Sequence, residues 1–297
     1  MKIIKDQKHL YLSTENWSDT TFQPVADIKS SIRLHDGLII QTAGFKILRG
    51  EKTEFHACVS VQAGCKFACR MCVSGKNGFT RNLTQNEIVE QVQHIAERFS
   101  VPTLDHVVFM GIGEPLDNYV QFTGALRNLN MLGYLDKLSF ATIGGPKKII
   151  QFANEKIPMR MMWISLHAPN EIKRKEIIPF AGNFTLKSLI EAGVLFHQKT
   201  NSEVRVNYLL YKSFNDSFSD AEQLVSLLDG TSSLITLQLT EPNDVDFLNY
   251  DRGDKSDIDR FKRYLLDAGL KNKIIRFLAA GRPLQAGCGE FAYISNK

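Results

Sequence analysis

Short apolar β-type runs alternate with amphipathic helical stretches from residue 56 to residue 278, and this alternation leaves few folds open. The runs fall at residues 56–61, 105–110, 137–142, 160–166, 203–211, 233–239 and 273–278. Apolar residues at helical spacing fill residues 86–99, 120–132, 186–198, 220–228 and 257–268 between them. Thr84 and Glu87 predict the start of the first helix, since each can satisfy the other's backbone N–H in a capping box. Strands nearly continuous in apolar residues and joined through helices make a parallel sheet covered by helices. Six or seven such units predict an α/β protein built as a partial (β/α)6 TIM-like barrel, with a flat doubly wound sheet as the alternative. Either architecture places the chemistry at the C-terminal ends of the strands.

Ahead of this core lie β-type pieces at residues 31–34, 38–42 and 45–48, with Asp36-Gly37 as a hairpin turn. They predict a small N-terminal β appendage over residues 1–50 and a catalytic core over residues 51–297 that ends in a glycine-rich loop. No apolar run reaches the roughly 18 residues of a membrane helix, and the N-terminus turns polar too soon for a signal peptide. A cytoplasmic location is the resulting expectation. The formal charge of +4 permits a nucleic-acid partner without demanding one. Five cysteines, an odd number, argue against a disulfide framework and for chemistry.

Three of the five stand together in Cys65-Lys66-Phe67-Ala68-Cys69-Arg70-Met71-Cys72, directly after the first core run and on a loop opened by Gly64. Thiolates spaced in this way can converge on an iron–sulfur cluster and leave one iron of a [4Fe–4S] cube for another ligand. A structural zinc site borrowing His56 or His106, or three unrelated core thiols, would be the plainer explanations. Zinc needs a closed fourth position, however, and neither histidine has the usual zinc spacing. Clustering within eight residues also disfavours chance placement.

Cys-x3-Cys-x2-Cys after the first strand of a (β/α) protein resembles the radical S-adenosylmethionine superfamily. That resemblance implies a barrel of the radical S-adenosylmethionine type, with Cys65, Cys69 and Cys72 holding a [4Fe–4S] cluster. Its open iron would bind S-adenosylmethionine for one-electron cleavage to a 5′-deoxyadenosyl radical. Further blocks are similar to the RlmN/Cfr family, which methylates an adenosine carbon in RNA. They are Cys58-Val59-Ser60-Val61-Gln62-Ala63-Gly64, Gly75-Lys76-Asn77-Gly78-Phe79-Thr80-Arg81-Asn82, and Met110-Gly111-Ile112-Gly113-Glu114-Pro115. Ser165-Leu166-His167-Ala168-Pro169-Asn170 and Ala286-Gly287-Cys288-Gly289-Glu290 complete the set.

The family resemblance implies that Gly113 and Glu114 bind the cofactor's amino group, and that Ser165, Leu166, His167 and Asn243 make further cofactor contacts. It also implies that Cys288 carries a methyl group, while Cys58 removes a proton from the adduct and pairs with Cys288 to release the methylated base. The target would be an sp2 carbon of adenosine in ribosomal or transfer RNA, C2 in preference to C8. A flavodoxin- or ferredoxin-type protein would supply electrons. A divergent member with a non-RNA acceptor, or a non-enzymatic metal-binding module, is the alternative.

Some positions depart from the family pattern. Phe45 stands in place of a glutamate, Asn207 in place of another, and Gln238-Leu239-Thr240-Glu241 in place of an Asn-x-x-Pro pattern. The turn after the third strand reads Ala141-Thr142-Ile143-Gly144, poorer in hydroxyls than in the family. Among basic residues that could track phosphates (Lys76, Arg81, Lys147, Lys148, Lys173, Arg174, Lys175, Arg260, Lys262 and Arg263), most are expected to be solvated helix faces. The loop of residues 75–82, carrying Phe79, is the candidate for substrate contact.

Overall fold

The computed structural model describes residues 1–11, 22–76, 78–179, 182, 184–243, 250–277, 281–287 and 289–292. Strands β1 (Lys2–Leu10), β2 (Gln23–Arg33), β3 (Ile39–Arg49) and β4 (Lys52–Cys58) form an antiparallel meander. A small ribbon follows, made of β5 (Gln62–Gly64) and β6 (Phe79–Asn82). Helix α1 (Gln85–Phe99) then leads to β7 (His106–Phe109), α2 (Tyr119–Leu129), β8 (Leu138–Thr142), α3 (Pro146–Asn154) and β9 (Met161–Ser165). The chain continues through α4 (Glu171–Ile177), α5 (Leu186–Thr200), β10 (Glu203–Leu209), α6 (Phe218–Leu227), β11 (Ile235–Thr240), α7 (Lys255–Asp267) and β12 (Ile274–Phe277).

One ten-stranded sheet runs in the order β1-β2-β3-β4-β7-β8-β9-β10-β11-β12, parallel from β4 onward. Each new parallel strand adds to the same side of the last. The order therefore never reverses, as it must in a doubly wound sheet. Successive helices also touch, α1 with α2, α3 with α5, α5 with α6 and α6 with α7, so they form one layer on one face. This is barrel-type winding, and it decides between the two architectures read from the sequence.

The two faces of the sheet differ in chemistry. Val107, Phe109, Leu138, Phe140, Ile164, Val206 and Leu237 are buried beneath the helices, where Phe122, Phe152 and Phe196 extend an aromatic core. Their alternates point to the concave face. There His106 bonds Ser139 Oγ at 2.7 Å, Trp163 Nε1 donates to Gln238 Oε1 at 3.0 Å, and Thr240 Oγ1 donates to Asn207 Oδ1 at 2.6 Å. A buried polar layer thus floors the interior, each group held by a partner.

The capping box at Thr84 and Glu87 is present, with Glu87 N donating to Thr84 Oγ1 and Thr84 N to Glu87 Oε2. The Asp36-Gly37 hairpin also forms, with Gly37 at φ +86°. Two expectations differ. The pieces at 38–42 and 45–48 are one strand, β3; at Gly44 between them α1 presses in, since a Cβ there would lie 2.7 Å from Ile95 Cγ2. β1 lacks an apolar run altogether, as suits a charged, exposed sheet edge.

The N-terminal strands also reach the far edge of the sheet. Phe22 meets Phe277 at a ring separation of 6.2 Å, Gly281 N donates to Tyr11 Oη at 3.2 Å, and Lys29 Nζ donates to Gln285 O at 2.6 Å. The segment after β12 is therefore held across the concave face by β1 and β2. Among the described residues no helix is long and apolar enough to cross a membrane.

Candidate active site

Every block singled out in the sequence lies at the C-terminal ends of β4 and β7 through β12, except where it falls outside the described residues. Cys58 ends β4, buried on the same face as His56, opposite Ala43 of β3 and Val108 of β7. Its carbonyl accepts from Thr42 Oγ1 at 2.9 Å. Phe45 lies on that face too, opposite His56.

The cysteine loop leaves β5 through Gly64, at φ +81°, where a Cβ would lie 2.1 Å from Gly78 O. Cys65 N donates to that same carbonyl at 2.9 Å, and Cys72 N donates to Cys69 O at 3.0 Å, winding the segment tightly. Cys65, Cys69 and Cys72 are free thiols, partly buried. Burial pushes the Cys65 thiol up to about 12 and drives Cys69 upward too; each also feels the charge of Cys72. Three thiolates in such a place need a cation to neutralise them.

The donor set fits an iron–sulfur cluster better than a single zinc ion. Among the described residues no three His, Cys, Asp or Glu side chains gather closely enough to share one ion. A cluster does not require that, since each thiolate binds a different iron. Nor are the two histidines available to a zinc site. His56 bonds Glu54 at 3.0 Å, His106 bonds Ser139, and their rings pack together in the floor of the interior.

Glu114 follows β7 through Gly111 and Gly113. A Cβ at Gly111 would lie 2.7 Å from Val59 O, and one at Gly113, at φ +105°, 2.5 Å from Gln62 Cβ. Only glycine lets this turn press against the β4–β5 segment. Glu114 is 5% exposed, and its carboxyl accepts from Thr142 Oγ1 at 2.7 Å, Ile143 N at 3.0 Å and Leu116 N at 3.1 Å. Burial raises its pKa to about 7 despite these donors. A carboxylate has about four acceptor positions, so one direction remains for a cation. Thr142, in the hydroxyl-poor turn, therefore orients Glu114.

Ser165 ends β9, and Leu166 and His167 follow it. Leu166 is buried; its N–H and that of His167 both donate to Asn207 O. His167 adopts φ +58° and accepts from Leu209 N at Nδ1, 3.1 Å, which leaves Nε2 as the protonated nitrogen. Burial lowers its pKa to about 3, so the imidazole is neutral at physiological pH.

Cys288 lies outside the described residues, but both of its neighbours are placed. A Cβ at Gly287 would lie 2.6 Å from Asn243 Nδ2, and one at Gly289 2.6 Å from Met71 O. Gly289 O accepts from Val73 N at 2.8 Å, Phe291 O from Ser74 Oγ at 2.8 Å, and Glu290 Oε2 from Gly287 N at 2.7 Å. The chain around position 288 is thus fastened between the cysteine loop and Asn243, which itself accepts from Arg282 Nε at 3.1 Å.

Several basic residues have internal partners, both in the loop expected to meet substrate (Arg81) and among those expected to be solvated. Arg81 makes a two-pronged pair with Glu87 at 2.8 and 2.9 Å and bonds Asp36 at 2.6 Å. Lys173 pairs with Asp220 at 2.5 Å, Lys148 with Asp117 at 3.4 Å, and Arg260 with Asp216 at 2.6 Å. Arg174 is buried outright. The charge run Lys173-Arg174-Lys175 disguised it; the usable signal was its helical spacing to Ile177 and Ile178, which fixes it on the buried side of α4. Phe79 is exposed on β6, as a substrate-contacting residue would be.

No family model matches the chain. A protein of Thermotoga petrophila, named as a probable dual-specificity RNA methyltransferase RlmN, is 33% identical over 261 residues, spanning 86% of this chain and 73% of its own. A relative of the same name from Dictyoglomus turgidum is 35% identical over 277 residues, 91% of this chain and 77% of its own. The crystal structure of a radical SAM methyltransferase from Sphaerobacter thermophilus superposes with a TM-score of 0.80 at 30% identity, covering 92% of this chain and 81% of that one. Streptococcus suis SuiB bound to S-adenosylmethionine shares the fold, with a TM-score of 0.55 at 13% identity over 77% of this chain and 52% of that one.

Proposed function

Because this chain belongs to the RlmN family of dual-specificity RNA methyltransferases, we propose that it is a radical S-adenosylmethionine methyltransferase acting on an adenosine carbon of ribosomal or transfer RNA. The observation that carries this reading is the convergence at one end of the parallel strands. The three-cysteine loop, the Gly111–Glu114 turn and the segment flanking position 288 all meet there. We assign Cys65, Cys69 and Cys72 to a [4Fe–4S] cluster. Gly113, Glu114, Ser165, Leu166, His167 and Asn243 are assigned to S-adenosylmethionine. Together, when bound, these groups supply a carbon radical by one-electron cleavage.

The chain's own residues do the rest. Glu114, held by Thr142 and Ile143, offers its remaining acceptor direction to an ammonium. Gly111 and Gly113 let backbone approach a ligand closely. Neutral His167 presents an Nε2 donor without adding charge. The fastening of residues 287 and 289 positions Cys288 as methyl carrier. Cys58, buried on the concave face beside Phe45, is assigned as the partner: as a thiolate it would take the proton from the adduct, and its S–S bond with Cys288 would form as the bond between the Cys288 sulfur and the transferred carbon breaks. The C2 position is the preferred target, and a flavodoxin- or ferredoxin-type protein the electron source.

Residues 1–50 are proposed as an accessory β segment on a catalytic core of residues 51–297. Antiparallel pairing gives way to parallel pairing at β4, close to this boundary.

Anaerobic reconstitution tests the assignment. The wild-type chain should take up about four irons and cleave S-adenosylmethionine when reduced. Cys288→Ala should keep that cleavage and lose RNA methylation. Nucleoside mass spectrometry of RNA from deletion and wild-type cells should show loss of one methyladenosine. Unchanged methyladenosine would exclude RNA as the acceptor, and methylation by Cys288→Ala would exclude the cysteine carrier.

A further inference from the structure

Helix α4 connects the end of β9 to the cysteine loop. Asn170 caps it by accepting from Lys173 N at 3.0 Å, and its last turn packs Ile177 with Ile178 against Cys69 and Met71. Ile177 O also accepts from Arg70 N at 2.8 Å, so helix and loop are joined through backbone as well. One turn earlier on the same face lies Arg174. Its guanidinium donates through one nitrogen to Ile143 O and to Ser165 O (the latter at 3.1 Å), which ties the ends of β8 and β9 together. The ring of Phe184 covers it at 5.6 Å.

What this arginine lacks is an anion. It is 2% exposed, its Nε has no acceptor, and no carboxylate among the described residues forms an ion pair with it. A cation buried without a countercharge is costly, and carbonyl oxygens compensate it only in part. On this side the helix meets the cysteine loop: Ile143, whose carbonyl Arg174 binds, packs in the same cluster as Ile177, Ile178 and Cys69. The thiolate ligands assigned to that loop supply the missing charge.

We infer that Arg174 is the built-in countercharge of the anionic site formed by Cys65, Cys69 and Cys72, and that it raises the reduction potential of the iron–sulfur group held there. The inference rests on the assignment of those three cysteines to a cluster. Adding one electron makes the site more negative by one unit. A fixed buried cation stabilises the reduced form more than the oxidised form, and water cannot screen it.

Two substitutions separate charge from shape. Arg174→Gln keeps amide donors for the carbonyls but drops the charge; Arg174→Lys keeps the charge on a different head. Each full-length protein is reconstituted anaerobically with iron and sulfide, its iron counted, and the cluster titrated with dithionite under EPR. At a fixed solution potential, the reduced-to-oxidised ratio should fall about tenfold in Arg174→Gln, equivalent to about 59 mV for one electron. Arg174→Lys should stay within about twofold of wild type. Arg174→Gln failing to hold iron while Arg174→Lys holds it would support the same conclusion, because the anionic site then requires the charge to assemble. Full iron and wild-type potentials in both variants would overturn it. So would loss of iron from both, which would make the arginine a structural tie. A wild-type chain that takes up no iron would instead refute the cluster assignment itself.

Discussion

Glu114→Gln exchanges a buried carboxyl for a neutral group of nearly equal volume, and its effect on stability should depend on pH. In the folded chain burial holds the carboxyl protonated up to about pH 7, against an ordinary value of 4.5. Between those values the unfolded chain releases a proton that the folded chain keeps. The contribution is therefore fully present below 4.5, declines as pH rises, and is lost above 7. A difference of this size corresponds to about 3 kcal/mol, of which about 2 to 3 falls between pH 5 and 8. For a chain of 297 residues that is about 4 °C in Tm. Glutamine also turns an amide N–H2 toward at least one of the donors Thr142 Oγ1, Ile143 N and Leu116 N, costing roughly 1–3 kcal/mol at every pH. Thermal melts without S-adenosylmethionine should show the variant clearly weaker at pH 5 and close to wild type at pH 8. Adding S-adenosylmethionine should stabilise wild type more as pH rises through 7, because its ammonium favours the ionised carboxyl, and should not do so for Glu114→Gln. Two melting profiles separated by a constant offset from pH 5 to 8 would refute the reasoning.

Gly113→Ala forces a side chain into a left-handed turn 2.5 Å from Gln62 Cβ; urea unfolding should show a loss of about 2 kcal/mol or more, with S-adenosylmethionine binding weakened. The alternative, an unchanged midpoint and affinity, would mean the turn is free to relax. Arg81→Gln removes the pair with Glu87 and Asp36 at the start of α1 and should cost about 1–2 kcal/mol in the same assay. RNA affinity and its salt dependence should stay near wild type, since this arginine is already committed. A steep fall in RNA affinity at unchanged stability would show that RNA displaces the internal pair.

The parts of the fold legible in the sequence were those whose signal is local. Apolar runs marked the parallel strands to within a few residues, and a capping box marked α1. β1 was missed because a polar edge strand carries no such run, and β3 was read as two pieces because Gly44 imitates a turn while making room for α1. α3 was missed as well, beginning on Pro146 after two glycines. The same division holds in the site. Cys65, Cys69 and Cys72 stand within eight residues and could be recognised by spacing. The dependence of Glu114 on Thr142, 28 residues away, and the burial of Arg174 within a charge run arise only when strand ends are brought together.

The N-terminal strands acquire a role from the same juxtaposition. Read alone, residues 1–50 looked like an appendage, yet some of their contacts run to the segment that carries Cys288. Lys29 holds Gln285 O, Tyr11 receives Gly281 N, and Gln41 accepts from Ala292 N at 2.8 Å. These contacts flank position 288, the proposed methyl carrier, on both sides. Here the antiparallel strands hold Gly281, Gln285 and Ala292 while the cysteine loop holds Gly289, so under the proposed mechanism the accessory strands help to position the methyl carrier.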